Sequence, residues 1–389
     1  MALALAGLRI WDGVSDSLRP GLGTLSVEVG RLAPHPVSGA EHIDLRGAVA
    51  LPGLCDAHVH IALDPARREA VQDASSDPLE PMAARARAMV EAGITTARDL
   101  GGPAFGALEL RDRIARGEIV GPRLLCAGQP LTSPKGHCWY WGGEARGADE
   151  MRAVVRRQVE RGADWIKVMA TGGVLTKGTT PAQSQFEQAE LDAAVAEARA
   201  LGRHTAAHCH GTEGISRAAR AGVRTIEHCS FASHEGFGGA PDADVIAEVA
   251  RSGAWVSPTV NTGFARFFAS GGSEAGKFAP RMTEVYTRLL GAGVPFIAST
   301  DAGIPGVEHH RLPAALPIFA RLAQLRPVEV LRTATSEAAR ALGLERETGR
   351  LTPGLAADIL VVDGDPLEDL GALLRPILVV ARGQIAFRA

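Results

Sequence analysis

His58 and His60 stand two residues apart in LPGLCDAHVH, residues 51–60. Pro52-Gly53 marks a turn, and the run after it reads as a strand. Side chains on a strand repeat every second residue, so both imidazoles point to one face. Two neutral imidazoles on one face can grip a divalent metal. On its own HxH is equally what an ordinary strand end supplies. The decision rests on whether further ligand types recur downstream at matching places. Lys167 sits in DWIKVMA, His208 in RHTAAHCHG, His228 in VRTIEHCSF and Asp301 in STDAG. Each lies near the end of an apolar run. His204, His208 and His210 share a parity, so periodicity does not choose among them. His208 lies nearest the expected strand end, and His210, just before Gly211, reads as a neighbour facing substrate.

Lys167 carries the sharpest signal. An ammonium inside an apolar run must be desolvated, which costs several kcal/mol unless it is paired or neutralised. The chain holds 41 Lys and Arg, yet its lysines are only Lys135, Lys167, Lys177 and Lys277. Arg would serve for a salt bridge, so a lysine here points to chemistry that Arg cannot do. A neutral amine is nucleophilic. It could form a Schiff base, or take up carbon dioxide as a carbamate whose two oxygens could bridge two metal ions. A structural Lys–Asp pair is the plainer alternative.

Something must bring these residues together. From residue 51 to about 348, helix-like segments alternate with short apolar runs. PMAARARAMVEAG leads to ITTARDL, ADEMRAVVRRQVERG to ADWIKVMA, and QAELDAAVAEARALG to RHTAAH. Gly93, Gly117, Gly162, Gly202, Gly222, Gly253 and Gly293 stand where these helices should end. Counting the HxH run, there are eight apolar runs, which requires parallel strands and suits a (β/α)8 TIM-like barrel. In such a barrel functional side chains come from the C-terminal ends of strands. The candidates would come from strands one, four, five, six and eight. An open doubly wound sheet would instead scatter them along an edge. Residues 1–50 and 349–389 both read as short strands and turns. We expect them to pair as a small β-sandwich domain built from both termini, with the barrel at 51–348 between them. The small-residue stretch 262–278 reads as a loop after the seventh strand, either covering the barrel mouth or passive.

Composition narrows the classes. A net charge of −3 over 389 residues gives no pull towards nucleic acid or anionic membrane, and no apolar run is long enough to span a bilayer. Ala2–Leu8 is apolar but too short for a signal core. The five cysteines are scattered, with no CxxC spacing, which fits reduced thiols and a cytoplasmic setting. Gly101-Gly102 and Gly172-Gly173 lack dinucleotide-binding spacing and read as turns after strands.

HxH after a Pro-Gly turn, the strand lysine of DWIKVMATGG, two single histidines and STDAG together resemble the amidohydrolase superfamily. GHCWYWGGEARG, AAHCHG and AGVRTIEHCSF resemble its prolidase-like branch of Xaa-Pro and Xaa-Arg dipeptidases, carboxypeptidases and ochratoxin amidases. The likeness extends to the closing GLAADILVVDGDP. It implies that His58, His60 and Asp301 hold one divalent metal, most often zinc, and His208 and His228 a second. Lys167, as a carbamate, would bridge them. Asp301 would move protons, and His137 would touch the substrate carbonyl. Tyr140, Lys177, His210 and Arg266 are further candidates for binding substrate. The implied reaction is hydrolysis of a dipeptide or N-acyl amino acid by a homo-oligomer. Two rivals remain: an imidazolonepropionase-like or deaminase enzyme that needs no carboxylated lysine, and a non-catalytic scaffold that should have lost ligands.

Overall fold

The structure is a computed structural model, and it describes residues 2–67, 78–269 and 274–389. The chain opens with strands β1 (Leu3–Ile10), β2 (Gly23–Glu28), β3 (Arg31–Ala33), β4 (Glu41–Asp44) and β5 (Val49–Pro52). β1 is half-buried, with inward Leu3, Leu5 and Leu8, as expected of a strand with one solvated side. Its ladder breaks near Gly7, where φ is +74°. The first half of β1 pairs with β4 and the second half with β5.

The texture then changes to parallel strands with helices between them. β6 (Leu54–Val59), β7 (Ile94–Asp99) and β8 (Arg123–Cys126) form one parallel sheet. β9 (Trp165–Met169), β10 (His204–Gly211), β11 (Thr225–Ala232) and β12 (Trp255–Ser257) form another, in the order β12-β11-β10-β9. β6, β7, β9 and β11 are buried along their whole length, the mark of parallel strands covered on both faces. Isolated parallel bridges join Leu131 to Val168, Val256 to Phe296, and Val59 to Ala302. The run VPFIASTD, expected as an eighth strand, makes only such bridges. Its backbone bonds are divided: Ile297 donates to Val256, Ala298 to Thr333, and it accepts from Ala57 at Ala298. The seven glycines expected to end helices all have positive φ, Gly222 at +79° and Gly253 at +70° being the terminal caps themselves.

β13 (Ile359–Val362), β14 (Pro376–Ala381) and β15 (Gln384–Arg388) return to the first five strands. Together they make one sheet of eight strands, ordered β15-β14-β13-β5-β1-β2-β3 with β4 beside β1. Both ends of the chain therefore share a sheet. The pairing forms a single continuous path through β1, whose first half joins β2 and β4 and whose second half joins β5. A separate apolar core of Leu3, Leu5, Val27, Ile359 and Val361 underlies it. The larger core lies between the parallel strands and their helices, including Ile166, Val168, Ile226, Val155 and Leu191.

The stretch expected as a loop after β12 is partly helical. It holds a 3-10 turn, Thr262–Ala265, and a short helix, Arg266–Ala269, before the long helix Glu274–Gly291. Asn261 starts it by accepting from the Gly263 amide at 3.0 Å. Residues 270–273 of that stretch lie outside the described residues. All five cysteines are buried and free.

Candidate active site

Four strand ends and the run after them converge. His58 on β6 and His60 just past it share a face, and their Nε2 atoms lie 3.3 Å apart. Asp301 Oδ1 sits 3.2 Å from each. The outer nitrogens of both rings are committed. His60 Nδ1 donates to the carbonyl of Gly101, which can only accept. His58 Nδ1 donates to Glu227 Oε2 at 2.9 Å. Burial, with Lys167 nearby, holds His58 down at about 4, so the ring is neutral. In the neutral ring, Nε2 is then a bare acceptor. The Nε2 atoms of both rings and a carboxylate oxygen therefore face one point.

His208, on β10, donates from Nε2 to the Gly172 carbonyl at 3.1 Å, which leaves Nδ1 facing inward. His228 Nε2 lies 2.9 Å from it, and His228 Nδ1 reaches Thr259 Oγ1 at 2.8 Å. Burial lowers both imidazoles well below their ordinary value. Ligand atoms of His58, His228 and Asp301 lie within 4.8 Å of one another, as do those of His208, His210 and His228. Lys167, on β9, is buried, and burial lowers its amine to about 8. Among the described residues no carboxylate pairs with it directly. Burial alone would raise Asp301; His58, His60 and Lys167 instead hold its carboxyl well below the usual range.

Backbone strain shapes this cluster. Glu227 and His228 are sequence neighbours, so a regular strand would turn them to opposite faces. His228 has φ +66° and Cys229 φ +47°, a sparsely populated region for residues with a Cβ. That break lets Glu227 bond to the His58 ring while the His228 ring lies 5.3 Å from the same ring. Asp301 also has a positive φ, +62°, at a strand-like end where the chain turns.

The supporting charges were not found by spacing. Arg98 on β7 is fully buried and donates to Glu227 Oε1 at 2.9 Å, to Thr225 at 3.0 Å and to the Ala57 carbonyl at 2.7 Å. Asp56 accepts from the Thr300 amide and hydroxyl and from the His58 amide. Asp99 accepts from the Ile61 and Gly101 amides, fixing the carbonyl that holds His60. The signal that singled out Lys167, a charge within an apolar strand, was equally present for Arg98 and Glu227.

A cavity of about 310 Å³ opens on this cluster. His137, His208, His210, His228 and Asp301 line its inner end, and Arg266 lines it farther out. His137 is buried, with Nδ1 2.9 Å from Thr176 Oγ1 and its ring 4.7 Å from that of His208. Burial lowers it to about 4. His210 stacks on His228 at 4.4 Å and bonds Ser230 Oγ at 2.8 Å. Tyr140 is not in the lining; its hydroxyl lies 3.1 Å from Thr176 Oγ1. Lys177 is exposed and also outside the lining.

The sequence model of the amidohydrolase family matches residues 49–386. The chain belongs to that family. This amidohydrolase is 30% identical over 371 residues to ochratoxinase from Aspergillus niger, spanning 85% of this chain and 73% of that protein. A Xaa-Pro dipeptidase solved with methionine in its active site superposes with a TM-score of 0.86 at 26% identity, covering 100% of both chains. A prolidase complexed with N-methylphosphonate-L-proline superposes at 0.85 and 27% identity, again over 100% of both. This amidohydrolase is thus a hydrolase of amide bonds, related to prolidases and ochratoxinase. Among its described residues no helix is long and apolar enough to cross a membrane.

Proposed function

We propose that this amidohydrolase holds two divalent metal ions and cleaves the amide of a dipeptide or an N-acyl amino acid. The observation that carries the reading is the meeting of three acceptors, His58 Nε2, His60 Nε2 and Asp301 Oδ1, with both Nδ1 protons committed elsewhere. Facing acceptors repel unless a cation lies among them, so the donor set fits a divalent ion. His58, His60 and Asp301 would hold one ion, and His208 and His228 the second. Lys167, carboxylated by carbon dioxide, would bridge them. Its lowered pKa and its lack of a paired carboxylate support that role over a structural ion pair. Zinc suits this set of nitrogen and oxygen donors.

Such ions supply an activated water at neutral pH and polarise the amide carbonyl. The chain does the rest. Asp301, ionised at any working pH, would accept the water proton and return it to the leaving amine. His137, with Thr176 on Nδ1, would present Nε2–H to the carbonyl oxygen as charge develops there. Arg266 at the outer end of the cavity would meet the substrate carboxylate. The prolidase complex and the ochratoxinase relative support an amino-acid amide as substrate.

The rest of the reading concerns the frame. The bridges between the parallel sheets support a (β/α)8 ring over 51–348, and the shared terminal sheet supports a discontinuous β domain of 1–50 and 349–389. Buried free cysteines fit a reducing, cytoplasmic setting, with the chain acting as a homo-oligomer on small substrates. An imidazolonepropionase-like or deaminase enzyme would leave Lys167 without a role.

The test pairs metal analysis with a panel of dipeptides and N-acyl amino acids, scored by released amine. We expect bound transition metal and hydrolysis of at least one member. Metal-loaded protein that releases no amine from any member overturns the proposal.

A further inference from the structure

Beyond the ligand cluster, the cavity is walled by rings. Phe237, Phe264, Phe267 and Phe278 line it, with Met282 and Ile304 beside them. The rings are in contact with one another. Phe267 stacks on Phe278 at 4.2 Å, and Phe264 meets the edge of Phe278 at 5.1 Å. Phe237 lies 6.1 Å from Phe278 and 5.1 Å from His210, which itself stacks on His228. An unbroken file of rings therefore runs from the candidate ligand His228 to the outer phenylalanines.

We infer that this wall is a subsite for an aromatic side chain flanking the scissile amide. The inference rests on the reading of the site as an amide hydrolase and names its substrate class: amides of an aromatic amino acid or an aryl-bearing acyl group, in preference to proline. A flat ring can pack edge-on or offset against several of these phenylalanines at once, and a phenyl or larger aryl group covers more of the wall than the five-membered ring of proline. A smaller side chain would leave most of the wall wetted. The reacting carbonyl would lie at the His137 and His228 end, and His210, stacked on His228 at 4.4 Å and 5.1 Å from Phe237, joins that end to the wall. Nothing in this wall carries charge except Arg266, whose guanidinium lies 4.7 Å over the Phe267 ring and suits the carboxylate of an amino-acid substrate.

The experiment compares N-acetyl-phenylalanine and N-phenylacetyl-alanine with N-acetyl-alanine and N-acetyl-proline on the metal-loaded protein. A phenyl-bearing member should exceed its alanine and proline counterparts in kcat/KM by about tenfold or more. Phe237→Leu and Phe264→Leu keep apolar volume but remove a ring, and each should lower that ratio several-fold. In parallel, calorimetric titration measures binding of phenylalanine, phenylacetate and proline. Preferred binding of an aromatic ligand without turnover would sustain the subsite and sink the hydrolase reading. Turnover with equal kcat/KM across the set, or variants that leave the ratio unchanged, would overturn the aromatic subsite while leaving the hydrolase reading intact.

Discussion

Glu227 Oε2 lies 2.9 Å from His58 Nδ1, and both groups are fully buried. The carboxylate's other oxygen pairs with Arg98, also buried, at 2.9 Å. One side chain thus orients an imidazole and neutralises a guanidinium. Burial would raise the Glu227 carboxyl, but Arg98 and His58 hold it well below the usual range.

Glu227→Gln keeps the shape and removes the charge. Arg98 is then left buried without a counter-ion, which costs about 3–5 kcal/mol. The weaker acceptor also frees the His58 ring, so metal affinity should fall by about 10- to 100-fold. Urea unfolding and a metal-competition titration check both. Wild-type stability in the variant would contradict the role assigned to the pair.

Asp301→Asn removes the proton acceptor while keeping an oxygen near His58 and His60. Steady-state kinetics should show kcat lower by about 10²- to 10⁴-fold. A loss confined to KM would mean that Asp301 binds substrate rather than moving protons.

Gly173→Ala tests the placement of His137. A Cβ at Gly173 would overlap the His137 ring. The ring must then shift, and a displacement of roughly 1 Å at a reacting centre costs about 100-fold in rate. The expected result is a fall in kcat, with a thermal melt showing that the fold persists.

Metal-free protein should lose stability as pH falls below about 6.5. His58 and His137 are held near about 4, and His210 and His309 near about 3, chiefly by burial. The unfolded chain binds protons at these positions from the ordinary histidine value downwards, whereas the folded chain does not. Protonation therefore favours unfolding, and the stabilisation present above pH 6.5 drains away towards pH 4. Melting temperatures across that window, measured in chelator, check the sign; a rise in melting temperature on acidification would contradict it.

The candidate ligand types were legible because strand-end position is a property of the chain itself. His58, His60, His208, His228 and Asp301 could be named from where apolar runs stop. Their partners could not. Whether Glu227 meets Arg98 or His58 depends on register between β6, β7 and β11, which no single run encodes. The left-handed turn at His228 is equally silent in VRTIEHC, although it is what lets adjacent side chains both reach His58. Phe237, Phe264 and Phe267 lie in loops and short helical turns between β11 and the long helix Glu274–Gly291, where no periodicity marks which face they take, and Phe278 sits near the start of that helix. Tyr140 and Lys177 had suitable chemistry, yet their loops carry them outside the cavity lining.

The central claim is that Lys167 joins two metal ions, and metal content per chain tests it most directly. Elemental analysis of protein prepared with zinc and bicarbonate should find two ions in the natural chain. In Lys167→Ala it should find at most one, with amide hydrolysis abolished and partly restored by added short-chain carboxylates. Equal metal content and undiminished hydrolysis in Lys167→Ala would contradict the account.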